Sequence, residues 1–318
     1  MVKRLLSIVA LGLFWDGVFA QTVEPELFGP GIISGPVADA APAFSPDGQT
    51  VYFHRSGVAM HGTILVSRRQ AGEWSRPEVA AFSGQWQDIE PAMSPNGNYL
   101  IFSSNRPVAA GGKVLDGMWN SQRYPGGGGN LWRVDRVGAE WGEPRRLPDL
   151  INSDSSVFSP AVTADGSLYF MKPVRDTGRF HLYRSTYRNG EYQTPEAVPF
   201  GAADSVSDVD AAVAADESFV VFSSRRAPAK AMELFIVFRN NGIWGEPRPL
   251  GAEVNRGSYS IESRLSPDGR TLYFSSVWVP KPAVFGEAGS AKRALEHSEW
   301  ETGLLNIWSV PLAGWTKF

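Results

Sequence analysis

Ala43-Phe44-Ser45-Pro46-Asp47-Gly48, followed by Thr50-Val51-Tyr52-Phe53, is the stretch whose reading decides the fold. It is a strand, a tight turn and a second strand. Proline suits the first corner of such a turn, and glycine supplies the positive φ that other residues resist. The phrase returns as Met93-Ser94-Pro95-Asn96-Gly97 before Tyr99-Leu100-Ile101-Phe102, and as Thr163-Ala164-Asp165-Gly166 before Leu168-Tyr169-Phe170. A worn copy, Ala214-Ala215-Asp216-Glu217, precedes Phe219-Val220-Val221-Phe222, and a clean one, Ser266-Pro267-Asp268-Gly269, precedes Thr271-Leu272-Tyr273-Phe274. The interval is about fifty residues, stretched once to about seventy, and short strands at such a period mark a β-propeller.

Each copy continues with a third strand, as in Thr63 to Ser67 or Asn130 to Val134, and then with an aromatic residue and a proline three positions on. Trp74 with Pro77, Trp141 with Pro144, Tyr192 with Pro195 and Trp244 with Pro247 are these pairs. Proline has no N–H to give a ladder, so these residues belong to the outermost strand. Four strands per repeat make a blade. The fifth repeat stops after Trp315, but Thr22-Val23-Glu24-Pro25-Glu26-Leu27-Phe28-Gly29 reads like Gln193 to Gly201. The expected fold is therefore all-β: a five-bladed propeller of four-stranded antiparallel blades, with the N-terminal segment completing the last blade.

Composition narrows the function classes. The 318 residues are 43% hydrophobic and 20% charged, ordinary for a globular chain, and the net charge of −3 offers no footprint for nucleic acid. Residues 1–20 read as a signal peptide: Lys3 and Arg4, an apolar run from Leu5 to Trp15, and Val18-Phe19-Ala20 as a cleavage site. The expectation is a single domain over 21–318, periplasmic or secreted, with no stable membrane insertion after cleavage. The absence of cysteine excludes thiol nucleophiles and Cys-ligated zinc. The four histidines lack zinc-site spacing, and Gly126 to Gly129 lacks the Lys-Ser/Thr of a phosphate loop.

The repeats resemble the TolB-type (WD40-like) propeller repeat, also found in propeller domains of prolyl oligopeptidase and tricorn relatives. The resemblance rests on Ser-Pro-Asp-Gly before an apolar strand, on Ser103 to Pro107, on Trp244-Gly245-Glu246-Pro247 running into Pro249-Leu250-Gly251, and on Leu150 to Ser153. It covers nearly all of the mature chain, while the TolB-type N-terminal α/β domain and the peptidases' hydrolase domain are absent. It implies an exported propeller that binds a protein or a cell-envelope glycan, and it carries over no catalytic residue.

Aligning the repeats at Pro42, Pro91, Pro160, Ala211 and Ser263 locates candidate site residues. Three positions earlier stand Asp39, Asp88, Val157, Asp208 and Ser260; one position earlier stand Ala41, Glu90, Ser159, Asp210 and Glu262. Residues two apart in a strand share a face, so Asp39, Asp88, Glu90, Asp208, Asp210 and Glu262 are expected at one channel mouth, opposite the Ser-Pro-Asp-Gly turns. Such acids need an offset. Arg55, Arg106 and Arg226 lie on the same face as candidates, and a bound cation is the other way to supply it. The acids then read as turn caps paired with arginines, as a polar-ligand site, or as the acid and base of a glycoside hydrolase. Trp119 and Trp278 stand outside the repeat pattern and are candidate stacking residues. Insertions at 108–129 and 278–302 lie on that face, where they are expected to wall a cleft over the first blade. The primary reading is a binding module without an organic cofactor, with the hydrolase as the alternative.

Overall fold

The computed structural model describes residues 24–57, 60–174, 177–257, 259–277, 288–289, 291–292 and 303–316. They form five antiparallel four-stranded blades around an axis, as expected. Residues 1–20, expected to be a signal peptide, Trp278 and nearly all of the 278–302 insertion lie outside the described residues.

Blade 1 runs outward through Ala38–Phe44, Thr50–Gly57 and Met60–Gln70. Its outer strand is two pieces, Glu73–Trp74 and Glu78–Val79, both paired to the third strand. The break falls at Pro77, where the ladder has no donor. Blade 2 (Asp88–Met93, Tyr99–Ser104, Asn130–Val137) and blade 4 (Asp208–Val213, Phe219–Ser224, Glu233–Asn240) repeat this plan. Blade 3 uses Phe158–Val162, Leu168–Pro173, Phe180–Ser185 and Glu196–Ala197.

Blade 5 closes the ring with both ends of the chain. Ser260–Leu265, Thr271–Ser276 and Asn306–Pro311 come from the C-terminal side, and Glu26–Leu27 supplies the outer strand. Glu26 pairs with Ser309 and Leu27 with Trp308. Pro25 thus precedes its strand as Pro77 and Pro195 precede theirs.

Cohesion lies between the blades. Five apolar clusters fill the five interfaces, the last joining Phe44, Val51 and Phe53 of blade 1 to Ile307 of blade 5. The repeated aromatics pack there: Trp141 Nε1 donates to the Tyr52 hydroxyl at 2.9 Å, and Trp244 meets Phe200 edge-on.

In four turns glycine takes the left-handed position, with φ of 66° at Gly48 and 71° at Gly97 and Gly269. The worn copy keeps that geometry with Glu217 at φ 58°. Its carboxylate offsets the strain across the blade 3–4 interface, accepting from the Tyr169 hydroxyl at 2.6 Å, Arg184 Nε at 2.6 Å and Arg239 Nη1 at 3.2 Å. Glu217→Gly relieves about 1–2 kcal/mol of backbone strain but forfeits charged hydrogen bonds worth about 1.5–3 kcal/mol each. A net loss of roughly 3 kcal/mol or more in urea unfolding is expected; a gain in stability would show that the clamp contributes nothing.

Candidate functional site

The innermost strands share a feature that positions the site. Each carries a β-bulge at the same register: between Ala40 and Ala43, Ile89 and Ala92, Phe158 and Ala161, Val209 and Ala212, and Ile261 and Arg264. The bulged residues Ala41, Glu90, Ser159, Asp210 and Glu262 have φ of 50°, 54°, 50°, 58° and 53°. None is glycine, so each costs roughly 1–2 kcal/mol. Such strain persists only where the surrounding structure holds it, and it concentrates at sites with a task.

The bulge corrects the expectation that carboxylates two apart share one face. An extra residue breaks the alternation, and the two acids of one strand serve different neighbours. Asp39, Asp88 and Asp208 each close a clamp with an arginine. Arg55 Nε donates to Asp39 at 2.5 Å, Arg106 Nη2 to Asp88 at 3.1 Å and Arg226 Nη2 to Asp208 at 2.6 Å. Each arginine also bonds a backbone carbonyl in the connection before its blade: Ile33, Phe82 and Phe200 respectively. Each guanidinium further lies over a strand aromatic, Phe53, Phe102 or Phe222. These pairs staple the crossover between blades. Burial nevertheless pushes the Asp39 carboxyl up to about 6, against the pull of Arg55.

Glu90, Asp210 and Glu262 instead meet inside the channel. Glu90 Oε2 accepts from the Ser159 backbone N–H at 2.7 Å and the Ser103 hydroxyl at 2.8 Å. The Glu90 N–H donates to His54 Nδ1 at 3.2 Å, which leaves the imidazole proton on Nε2, and Nε2 stands 3.8 Å from Glu262 Oε1. Contacts therefore run from blade 3 through blades 2 and 1 to blade 5. Burial, and then the Asp210 charge, raise Glu90 to about 7. Burial raises Asp210, and burial with both neighbouring carboxylates raises Glu262 well above its usual range. Burial drives His54 down to about 3, so the ring is neutral at physiological pH. Buried like charges cannot all ionise together, so the cluster shares protons near neutrality.

One participant escaped the sequence reading. Arg264, on the innermost strand of blade 5, spans the channel to blade 2, with Nε donating to the Pro91 carbonyl at 3.2 Å and Nη1 to its own neighbour Ser263 at 2.7 Å. Its signal lay in the same alignment, one column further: Ala43, Ala92, Ala161 and Ala212 occupy the position in the other blades. Four methyl groups leave room for one guanidinium, the nearest cation to the three acids. Beyond it, at the turn end, a cavity of ≈ 500 Å³ opens, with this column as its floor. All six predicted acids are at most 7% exposed, so they line an interior and not an open acidic mouth. Among the described residues, no three His, Asp or Glu side chains are placed to hold a metal ion.

The insertion at 108–129 does not lean over blade 1. It folds into a hairpin, Gly117–Trp119 with Gln122–Tyr124, seated on blade 3. The Ser156 hydroxyl accepts from the Met118 N–H at 2.9 Å, the Ser155 hydroxyl donates to the Asp116 carbonyl at 2.8 Å, and the Asn120 N–H reaches Gly178. Trp119 stacks on Tyr124 at 3.9 Å and packs against Phe158 and Phe180, so its ring serves the hairpin and offers no open stacking platform. Two glycines here answer to packing. A Cβ on Gly129 would stand 2.3 Å from the Phe158 ring, and one on Gly117 2.2 Å from that of Trp119.

No family model matches the chain, and no curated protein sequence matches it. Among solved structures it is similar to TolB from Acinetobacter baumannii, with a TM-score of 0.49 and 15% identity over 86% of this chain and 54% of that one. A TolB-type protein from Agrobacterium tumefaciens gives 0.48 and 18% over 79% and 73%. A gluconolactonase from Xanthomonas campestris gives 0.47 and 14% over 80% and 78%. The chain spans about half the length of the Acinetobacter protein, and the likeness is one of propeller architecture. Among the described residues no helix is long and apolar enough to cross a membrane.

Proposed function

We propose that this protein is an exported binding module that docks a protein partner on its loop-bearing face. The observation that carries the reading is the ordered hairpin of blade 2. Cross-links to blade 3 hold it in one conformation, yet it and its flanks present Val108, Val114 and Met118 to solvent at 56%, 39% and 49% exposure. Apolar side chains fixed in place and left uncovered lower the entropy cost of association, which is what an interface needs and a decorative loop does not. Leu150 and Tyr259 are exposed on the same face. The packed ring of Trp119 favours a protein over a glycan, because sugar stacking needs a free aromatic face.

Met118→Asp is expected to weaken retention of the partner cross-linked from envelope extract at least tenfold. Ile243→Asp, at the opposite end of the blades, is expected to leave retention unchanged. Equal retention by both variants would sink the reading. One observation favours the hydrolase alternative: Glu90, Asp210 and Glu262 converge with raised pKa values, a pattern common at catalytic centres. Turnover of aryl glycosides that disappears in Glu90→Gln and Asp210→Asn would establish it instead.

A further inference from the structure

We infer that the cavity at the turn end of the channel is a second binding site, on the face opposite the hairpin, and that it takes the carboxyl end of a short apolar peptide. The floor supplies the first argument. Arg264 is 5% exposed, and its bonds go to two neutral carbonyls, those of Pro91 and Ser263. Its Nη2 is buried with no hydrogen-bond partner, and no described carboxylate comes within ion-pair distance of the guanidinium. Glu90, Asp210 and Glu262 attract the guanidinium without any of them bonding to it, so its remaining N–H stays unsatisfied, and a fork of N–H donors matches a carboxylate. The four alanines of the same column keep the approach open.

The walls supply the second argument. Pro42, Pro46, Met93, Pro95, Val213 and Phe219 line the cavity above the floor. At ≈ 500 Å³ it falls within the range of small-ligand sites, about 300–1,000 Å³. An apolar body with one anionic end fits this lining.

The rim supplies the third. Asp216 and Asp268 border the opening, each held by its own turn: Asp216 by the Ser218 N–H and hydroxyl, Asp268 by the Ser266 hydroxyl and the Arg270 N–H. These bonds keep both carboxyls below their usual range, so both are ionised. Negative charge at the rim and positive charge at the floor disfavour phosphate or a dicarboxylate. They favour a ligand that is positive or neutral outside and carries its carboxylate inside. A peptide entering carboxyl end first has that polarity. It is either a free oligopeptide or the tail of a protein.

Calorimetric titration with the tetrapeptide Ala-Ala-Val-Leu tests the site. The free acid is expected to bind at least tenfold more tightly than the carboxamide. Arg264→Gln is expected to erase that difference. Val213→Trp, which fills the funnel away from the charged cluster, is expected to abolish binding with the melting temperature little changed. The same four residues at the end of a folded carrier protein distinguish the sources: equal binding identifies a protein tail, and binding of the free tetrapeptide alone identifies an oligopeptide. Equal affinity for acid and amide, no binding of either by the wild-type protein, or binding that survives Val213→Trp overturns the proposal. Met118→Asp leaves peptide binding intact if the two sites are independent, so failure of the loop-face reading is recognisable separately.

Discussion

Asp88→Ala is expected to lower the unfolding free energy by about 3–5 kcal/mol, the cost of leaving a buried charge without its partner. Arg106 would remain with its guanidinium against Phe102 and Trp132 and one bond to the Phe82 carbonyl. The pair itself is a weak stabiliser. Burial raises the Asp88 carboxyl and lowers Arg106, so in each partner desolvation outweighs the attraction. Asp88 Oδ1 and Arg106 Nε also lack hydrogen bonds. Replacing both, as Asp88→Leu with Arg106→Met, is therefore expected to recover most of the loss. Urea unfolding of the two single variants and the double closes the cycle. A single-variant cost below about 1 kcal/mol would mean that the clamp behaves as a surface pair, and the crossover would need another staple.

Glu262→Gln is expected to stabilise the protein at pH 8 and to leave it unchanged at pH 4.5. The sign follows from the direction of the shift. An unfolded glutamate releases its proton near 4.5, whereas folded Glu90 holds its own to about 7 and Glu262 holds its own to well above the usual range. The stability these groups contribute is complete below 4.5 and is lost as pH rises through the folded values. For Glu90 alone, that displacement corresponds to about 3 kcal/mol. Glutamine cannot ionise, so it escapes the loss while keeping nearly the same shape beside His54, whose Nε2 lies 3.8 Å from Oε1 of Glu262. The melting temperature of the variant should exceed that of the wild type by about 5 °C or more at pH 8, and the gap should close on acidification. A gap independent of pH would show that the carboxyl at 262 is not part of a proton-sharing cluster. His54, neutral down to about 3, acts in the opposite sense: its contribution is complete above 6.5 and is lost as pH falls. Both proteins share that term, so it cancels in the comparison.

These two results separate the roles of the acids. The outer three are structural counterparts of arginines, and their loss is felt as instability at every pH at which they are ionised. The inner three oppose one another, and neutralising one relieves the fold. An acid that costs stability is retained for another reason. Loss or retention of peptide binding in Arg264→Gln, and of glycoside turnover in Glu90→Gln, tests whether that reason lies in the channel.

The ring was legible in the sequence because its determinants are local. A proline corner, a glycine at positive φ, an apolar strand and an edge proline each act over a few residues, and their recurrence at one period counts the blades. The match of Pro25-Glu26 to Pro195-Glu196 likewise revealed the shared fifth blade. The carboxylates were legible as a register, but their destinations were not. Alternation assigns side chains to faces only while the ladder is regular, and all five innermost strands bulge one residue before the aligned position. Alanine, glutamate, serine and aspartate occupy the left-handed position, and none of them advertises positive φ as glycine does. Tertiary packing alone therefore parted Asp88 from Glu90, turned the blade 2 hairpin onto blade 3, and set Arg264 across a channel that four alanines leave open. Each depends on contacts between blades far apart in the chain, which no local preference encodes.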